Sequence, residues 1–75
     1  MEHMPRAPEL PSLRVAGDLR RRLESGEWPK DAPLPAVAEL AKHYGVARAT
    51  VAKALRILES ESLIRVVPRW GTFRA

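Results

Sequence analysis

The strongest constraint on this chain is the run from Ala36 to Leu58, AVAELAKHYGVARATVAKALRIL. Val37, Leu40, Ala41 and Tyr44 recur at helical spacing and share one face. Gly45 follows, where a backbone turn that a β-carbon disfavours can form. Val46 is placed to tuck into the core behind that turn. The order apolar-Ala-x-x-apolar-Gly-apolar, then Val51 five residues later, is the spacing of a helix-turn-helix. An ordinary antiparallel helix pair is the plainer alternative.

The second helix of the pair, from about Arg48 to Ser60, is two-sided. At about 100° per residue Val51, Ala54, Leu55 and Leu58 fall on one side. Arg48, Ala49, Ala52, Lys53 and Arg56 fall on the other. No acid interrupts that outer face before Glu59. A helix that merely faces water usually mixes charge signs, so this face points to a polyanion, as in a helix laid into the major groove of DNA.

The charge distribution along the chain agrees. Residues 1–47 hold seven Lys/Arg and seven Asp/Glu. Residues 48–75 hold Arg48, Lys53, Arg56, Arg65, Arg69 and Arg74 against Glu59 and Glu61, so the whole net charge of +4 lies there. A one-sided basic patch is the electrostatic footprint of a nucleic-acid partner, although a basic face kept for solubility would have the same sign.

Seventy-five residues make one small domain with little room for a buried catalytic pocket. No nucleophile–base pair, paired carboxylates or phosphate-cradling glycine loop stands out, so enzymatic activity is not expected. There is no cysteine, and His3 and His43 lie far apart, so neither a metal site nor a cofactor is expected. No apolar run approaches membrane-spanning length, and no signal-peptide pattern opens the chain, so a cytoplasmic, nucleoid-associated location is the expectation.

The remaining segments read as supports. Residues 1–11, with Pro5, Pro8 and Pro11, form a flexible arm in which Arg6 is a candidate groove contact. The domain then occupies residues 12–75. Ser12 is expected to cap a first helix running to about Ser25, with Leu13, Ala16, Leu19 and Leu23 on its apolar face beside Val15. Gly26 is placed for a left-handed cap. The run Arg20-Arg21-Arg22 reads as a solvated face, with phosphate contact the alternative. In EWPKDAPLP, Trp28 is a candidate core plug, Asp31 suits a positive φ, and Leu34 suits a short extended segment at a sheet edge. Leu63–Val67 and Thr72–Arg74, joined by Pro68-Arg69-Trp70-Gly71, form a hairpin. As a wing it would set Arg69 and the Gly71 amide against the backbone or minor groove.

The stretch LPAVAELAKHYGVARATVAKALRILESESLI followed by RWGTF resembles the DNA-binding domain of the GntR family of bacterial transcription regulators. Leu34-Pro35, Leu40-Ala41, Gly45-Val46, Arg48, Thr50-Val51, Ala54-Leu55, Leu58, Leu63-Ile64 and Gly71-Thr72-Phe73 carry the match. The resemblance covers about residues 12–75 and implies a mainly α winged helix-turn-helix: three helices plus a two- to three-stranded antiparallel wing. It also implies binding to a palindromic operator in double-stranded DNA as a homodimer, mostly to repress. Helix 47–60 would lie in the major groove and wing 65–74 on the backbone and minor groove.

By position, Arg48 would read a guanine edge or hold a phosphate, Thr50 would hold a phosphate, Lys53 would assist, and Gly71 would approach the minor groove. The candidate interface is Arg48, Ala49, Thr50, Ala52, Lys53, Arg56, Arg69, Trp70, Gly71 and Thr72. Members carry an effector domain after the wing. This sequence ends at Ala75, so no effector ligand is expected on it.

Ala36 and Ala47 replace the family's serine caps, Ala52 replaces an arginine common in the family, and Ser62 replaces the glycine before the last leucine. Arg69-Trp70-Gly71 stands where a glycine, a basic residue and a glycine are usual. Three alanines on the groove face narrow hydrogen-bonded base readout to Arg48, with Lys53 and Arg56 beside it. The competing function is a winged helix used for protein interaction or assembly, which an exposed Trp70 would favour.

Overall fold

A computed structural model describes residues 10–75. Most of the expected arm, including Arg6, lies outside the described residues. Three helices are followed by a hairpin: α1 (Pro11–Glu24), α2 (Val37–Tyr44), α3 (Arg48–Ser60), β1 (Ile64–Val67) and β2 (Gly71–Arg74).

Two details of α1 differ from the sequence expectation. The helix starts at Pro11, with Leu10 as its N-cap and no side-chain cap. Proline supplies a preset φ there and lacks an N–H that would otherwise go unbonded. Ser12 is therefore not the cap; it lies inside the helix and is buried. The buried stripe is Ser12, Val15, Ala16, Leu19 and Leu23. Leu13 lies about 100° round from Ser12 and is 45% exposed. Ser12 fits because its side chain is small where α1 meets the core.

The core joins that stripe to Leu34, Leu40, Ala41, Val51, Ala54, Leu55, Leu58 and Ile64. Both α1 and α2 pack on α3. Gly45 ends α2 at φ 67°, and the next amide, Val46 N–H, donates to the Ala41 carbonyl at 3.0 Å. This closure fixes the angle at which α3 leaves α2.

Tyr44 joins helices as well as covering the core. Its hydroxyl donates to Asp18 Oδ2 at 2.6 Å and accepts from Arg22 Nη1 at 3.0 Å. Burial, and then the bond to Asp18, raise the Tyr44 pKa. Trp28 is not a deep plug. It packs half-buried at the core's rim, with the Arg22 guanidinium 4.7 Å from its ring centre, which is cation–π range.

In the hairpin, Ile64 pairs with Arg74, Arg65 with Phe73, Val66 with Thr72, and Val67 with Gly71, antiparallel. The segment before α2 lies along the other edge of β2. Pro33 bridges Phe73, Leu34 N–H donates to the Thr72 carbonyl at 2.8 Å, and Asp31 N–H donates to the Arg74 carbonyl at 2.9 Å. Asp31 makes the turn into this edge at φ 67°. β2 is thus the middle layer, and the hairpin is tied to the helical body through a segment 40 residues distant in sequence.

Candidate nucleic-acid interface

The face of α3 opposite the core holds Arg48, Ala49, Lys53 and Arg56, all exposed, with Thr50 and Ala52 half-buried at its margins. Opposite them Val51, Ala54, Leu55 and Leu58 are buried. The helix is 13 residues long, about 20 Å, which suits a major groove about 12 Å wide. Its first turn has no acidic residue, and Ala47 supplies no side-chain cap. Leading N–H groups are therefore open to an acceptor from outside the fold.

Structures on either side frame this face. On one side the start of α1 approaches it: Leu10, Pro11 and Ser12 share a shallow hollow of about 190 Å³ with Ala49, Thr50 and Lys53. The sequence signalled this neighbour only through a proline at a helix start. On the other side a cleft of about 350 Å³ separates α3 from the wing, lined by Val37, Ala52, Leu55, Arg56, Glu59, Val66 and Thr72. Thr72 is 9% exposed. Of the candidate set, Ala52, Arg56 and Thr72 line this cleft, and Thr72 is the buried one, on its floor.

The wing tip is built around a turn of type II character. Trp70 N–H donates to the Val67 carbonyl at 3.0 Å, Pro68 fills the second position, and Arg69 takes φ 72° in the third. Gly71 follows at φ 118°. Arg69, Trp70 and Gly71 are exposed, and Trp70, at 79%, is the most exposed large apolar side chain among the described residues. The tip therefore presents a cation and an indole side by side.

Among the described residues, four arginines elsewhere are paired with carboxylates. Arg20 binds Glu61 through two bonds of 2.8 and 2.7 Å, and Arg22 binds Glu27 through 2.8 and 2.6 Å. Arg21 pairs with Asp18, and Arg65 with Asp31 at 3.2 Å. The pairing with Arg22 lowers the Glu27 pKa, the pairing with Arg20 lowers that of Glu61, and both guanidinium pKa values are raised in return. Arg20 and Arg22 thus join α1 to its neighbours, while Arg21 pairs within α1 and stays largely exposed. Among the described residues Arg48, Lys53, Arg56 and Arg69 have no carboxylate partner.

Named transcription regulators are similar to this chain in sequence, and a solved DNA-binding domain is similar in fold. The transcriptional repressor NagR of Bacillus subtilis is 35% identical over 60 residues, which are 80% of this chain and 25% of the repressor. The histidine utilization repressor of Pseudomonas aeruginosa is 36% identical over 62 residues, 83% of this chain and 25% of that protein. The chain thus spans about a quarter of the length of these relatives. The crystal structure of the AraR DNA-binding domain in complex with operator ORX1 superposes with a TM-score of 0.87 at 27% identity, covering 100% of this chain and 93% of that one. The profile of the family described as "Bacterial regulatory proteins, gntR family" matches residues 11–73, and the chain belongs to that family.

Proposed function

We propose that this chain is the sequence-specific DNA-binding module of a bacterial transcription regulator, acting as a repressor in the cytoplasm at the nucleoid. α3 enters the major groove. The wing, residues 65–74, follows the backbone and minor groove. Two copies occupy the half-sites of a palindromic operator. The observation that carries the reading is the partition of charge: Arg48, Lys53 and Arg56 stand exposed and without carboxylate partners on one acid-free stretch of α3 among the described residues, while Arg20, Arg21 and Arg22 of α1 are paired. Operator complexes of the AraR domain support it by analogy of fold.

Arg48 is assigned direct base readout, with Thr50, Lys53, Arg56 and Arg69 on phosphates. Ala49 and Ala52 offer only methyl groups, suited to thymine. Selection of bound duplex from a random pool at fixed salt should recover a palindrome, and recovery of no consensus overturns the assignment. Arg48→Ala should weaken binding to the selected duplex by about 1–3 kcal/mol and relax preference at one base pair. An unchanged preference removes Arg48 from base readout.

The exposure of Trp70 favours a second reading, a protein-interaction or assembly surface at the wing tip. In a Trp28→Phe variant the tryptophan emission comes from Trp70 alone. A change in its fluorescence on adding the duplex supports the DNA reading. A change with protein concentration alone supports assembly.

A further inference from the structure

Glu59 is the acid that closes the otherwise basic outer side of α3, and its carboxylate is committed to the wing. Val66 N–H donates to Glu59 Oε2 at 3.1 Å. The ladder makes this amide available. In an antiparallel pair, opposed residues alternate between exchanging both hydrogen bonds and exchanging none. Val66 faces Thr72, and the Thr72 carbonyl is turned the other way, toward Leu34 N–H. The Val66 amide therefore points off the free edge of β1, toward α3.

The position of this bond gives it leverage. Ile64 is buried in the core, whereas Val66, two residues on, is 41% exposed. The core's grip on β1 ends between them. Among the described residues, backbone bonds from the tip stay within the hairpin, as Trp70 to Val67 does. Arg69 and Trp70 thus project beyond the last rung that is tied to α3, and that tie is Glu59.

We propose that Glu59 is a positioning residue for DNA binding: held on the Val66 amide, it sets the wing's elevation over α3 so that both reach one duplex. The inference rests on the DNA reading of α3 and the wing. It makes a prediction of sign that charge alone does not. Glu59→Gln and Glu59→Ala both remove a negative charge beside the proposed DNA face, which by itself tightens binding equally. Only glutamine keeps an acceptor for Val66.

The test measures affinity for the duplex selected by the parent chain, at fixed salt. Glu59→Gln should bind at least as tightly as the parent, and Glu59→Ala about three- to tenfold more weakly than Glu59→Gln, the worth of one hydrogen bond. In an Arg69→Ala background that gap should close, because a misplaced wing no longer matters. Hydrogen exchange at the Val66 amide should be slow in the parent and in Glu59→Gln, and faster in Glu59→Ala. Equal affinities for the two variants overturn the positioning role. Exchange at Val66 that is alike in all three overturns the contact itself. A parent chain that selects no duplex overturns the DNA reading and the positioning role together, and is distinguishable because the exchange result stands apart from it.

Discussion

Ser62 and Arg69 are non-glycine residues held at positive φ, 62° and 72°, where a β-carbon meets the backbone. Ser62 follows the end of α3. Its N–H donates to the Glu59 carbonyl at 2.9 Å, and Leu63 N–H to the Leu58 carbonyl at 3.1 Å, the bonds of a Schellman cap. Ser62→Gly should stabilise the domain by about 1 kcal/mol, raising Tm by roughly 4–8 °C for a domain of this size; calorimetry checks it. Arg69→Gly should separate two properties. It relieves the turn and raises Tm, and it removes the wing's exposed cation. Binding to all duplexes should then weaken alike, with the salt slope reduced by close to one. An unchanged slope places the wing off the backbone.

The helices carry local deficits that packing offsets. Neither α2 nor α3 has a side-chain N-cap. In α2 only the return half of a capping box exists: Ala36 N–H donates to Glu39 Oε1 at 3.3 Å, and Ala36 has no acceptor to answer it. In α3 nothing local compensates, and Arg48 sits at the positive end of the helix dipole, where a cation is disfavoured. Ala47→Ser should add about 1 kcal/mol of stability, read as a shift in the urea midpoint. α3 tolerates its bare start because Val51, Ala54, Leu55 and Leu58 are buried, and most helical stability in a folded protein comes from such a face. The open N-terminus and the cation beside it are both suited to a phosphate.

At the scale of the molecule, acidic side chains hold α1 in place. Arg20–Glu61 ties α1 to the end of α3, and Arg22–Glu27 ties it to the loop bearing Trp28. The folded pKa values of Glu61 and Glu27 lie below their ordinary values because of these arginines. Their contribution is therefore fully present above the unfolded carboxylate value of about 4.3 and is lost as pH falls through the lower folded values. Denaturation midpoints measured from pH 7 to 3 should fall in the acid range. A Glu27→Gln, Glu61→Gln double variant should start lower and lose less. Equal acid slopes in the two proteins would show that these pairs contribute nothing.

The helix-turn-helix, the acid-free face of α3, the positive φ at Asp31 and the hairpin are all legible in the sequence, because each rests on residues within one or two turns of one another. Periodicity decides which face is apolar, and glycine or proline decides where the chain turns. What the tertiary structure alone decided depends on residues far apart in the chain. It buried Ser12 and left Leu13 exposed, because α1's stripe is set by where α3 lies. It put Thr72 on the floor of a cleft, because residues 33–34 cover β2 from the far side. It engaged Arg20 with Glu61 and Arg22 with Tyr44 while leaving the cations of α3 unpaired among the described residues. It also turned Glu59 from an interruption of a basic face into the link between that helix and the wing. Local chemistry determined the elements, and long-range contact determined which of their side chains remain free to meet a partner.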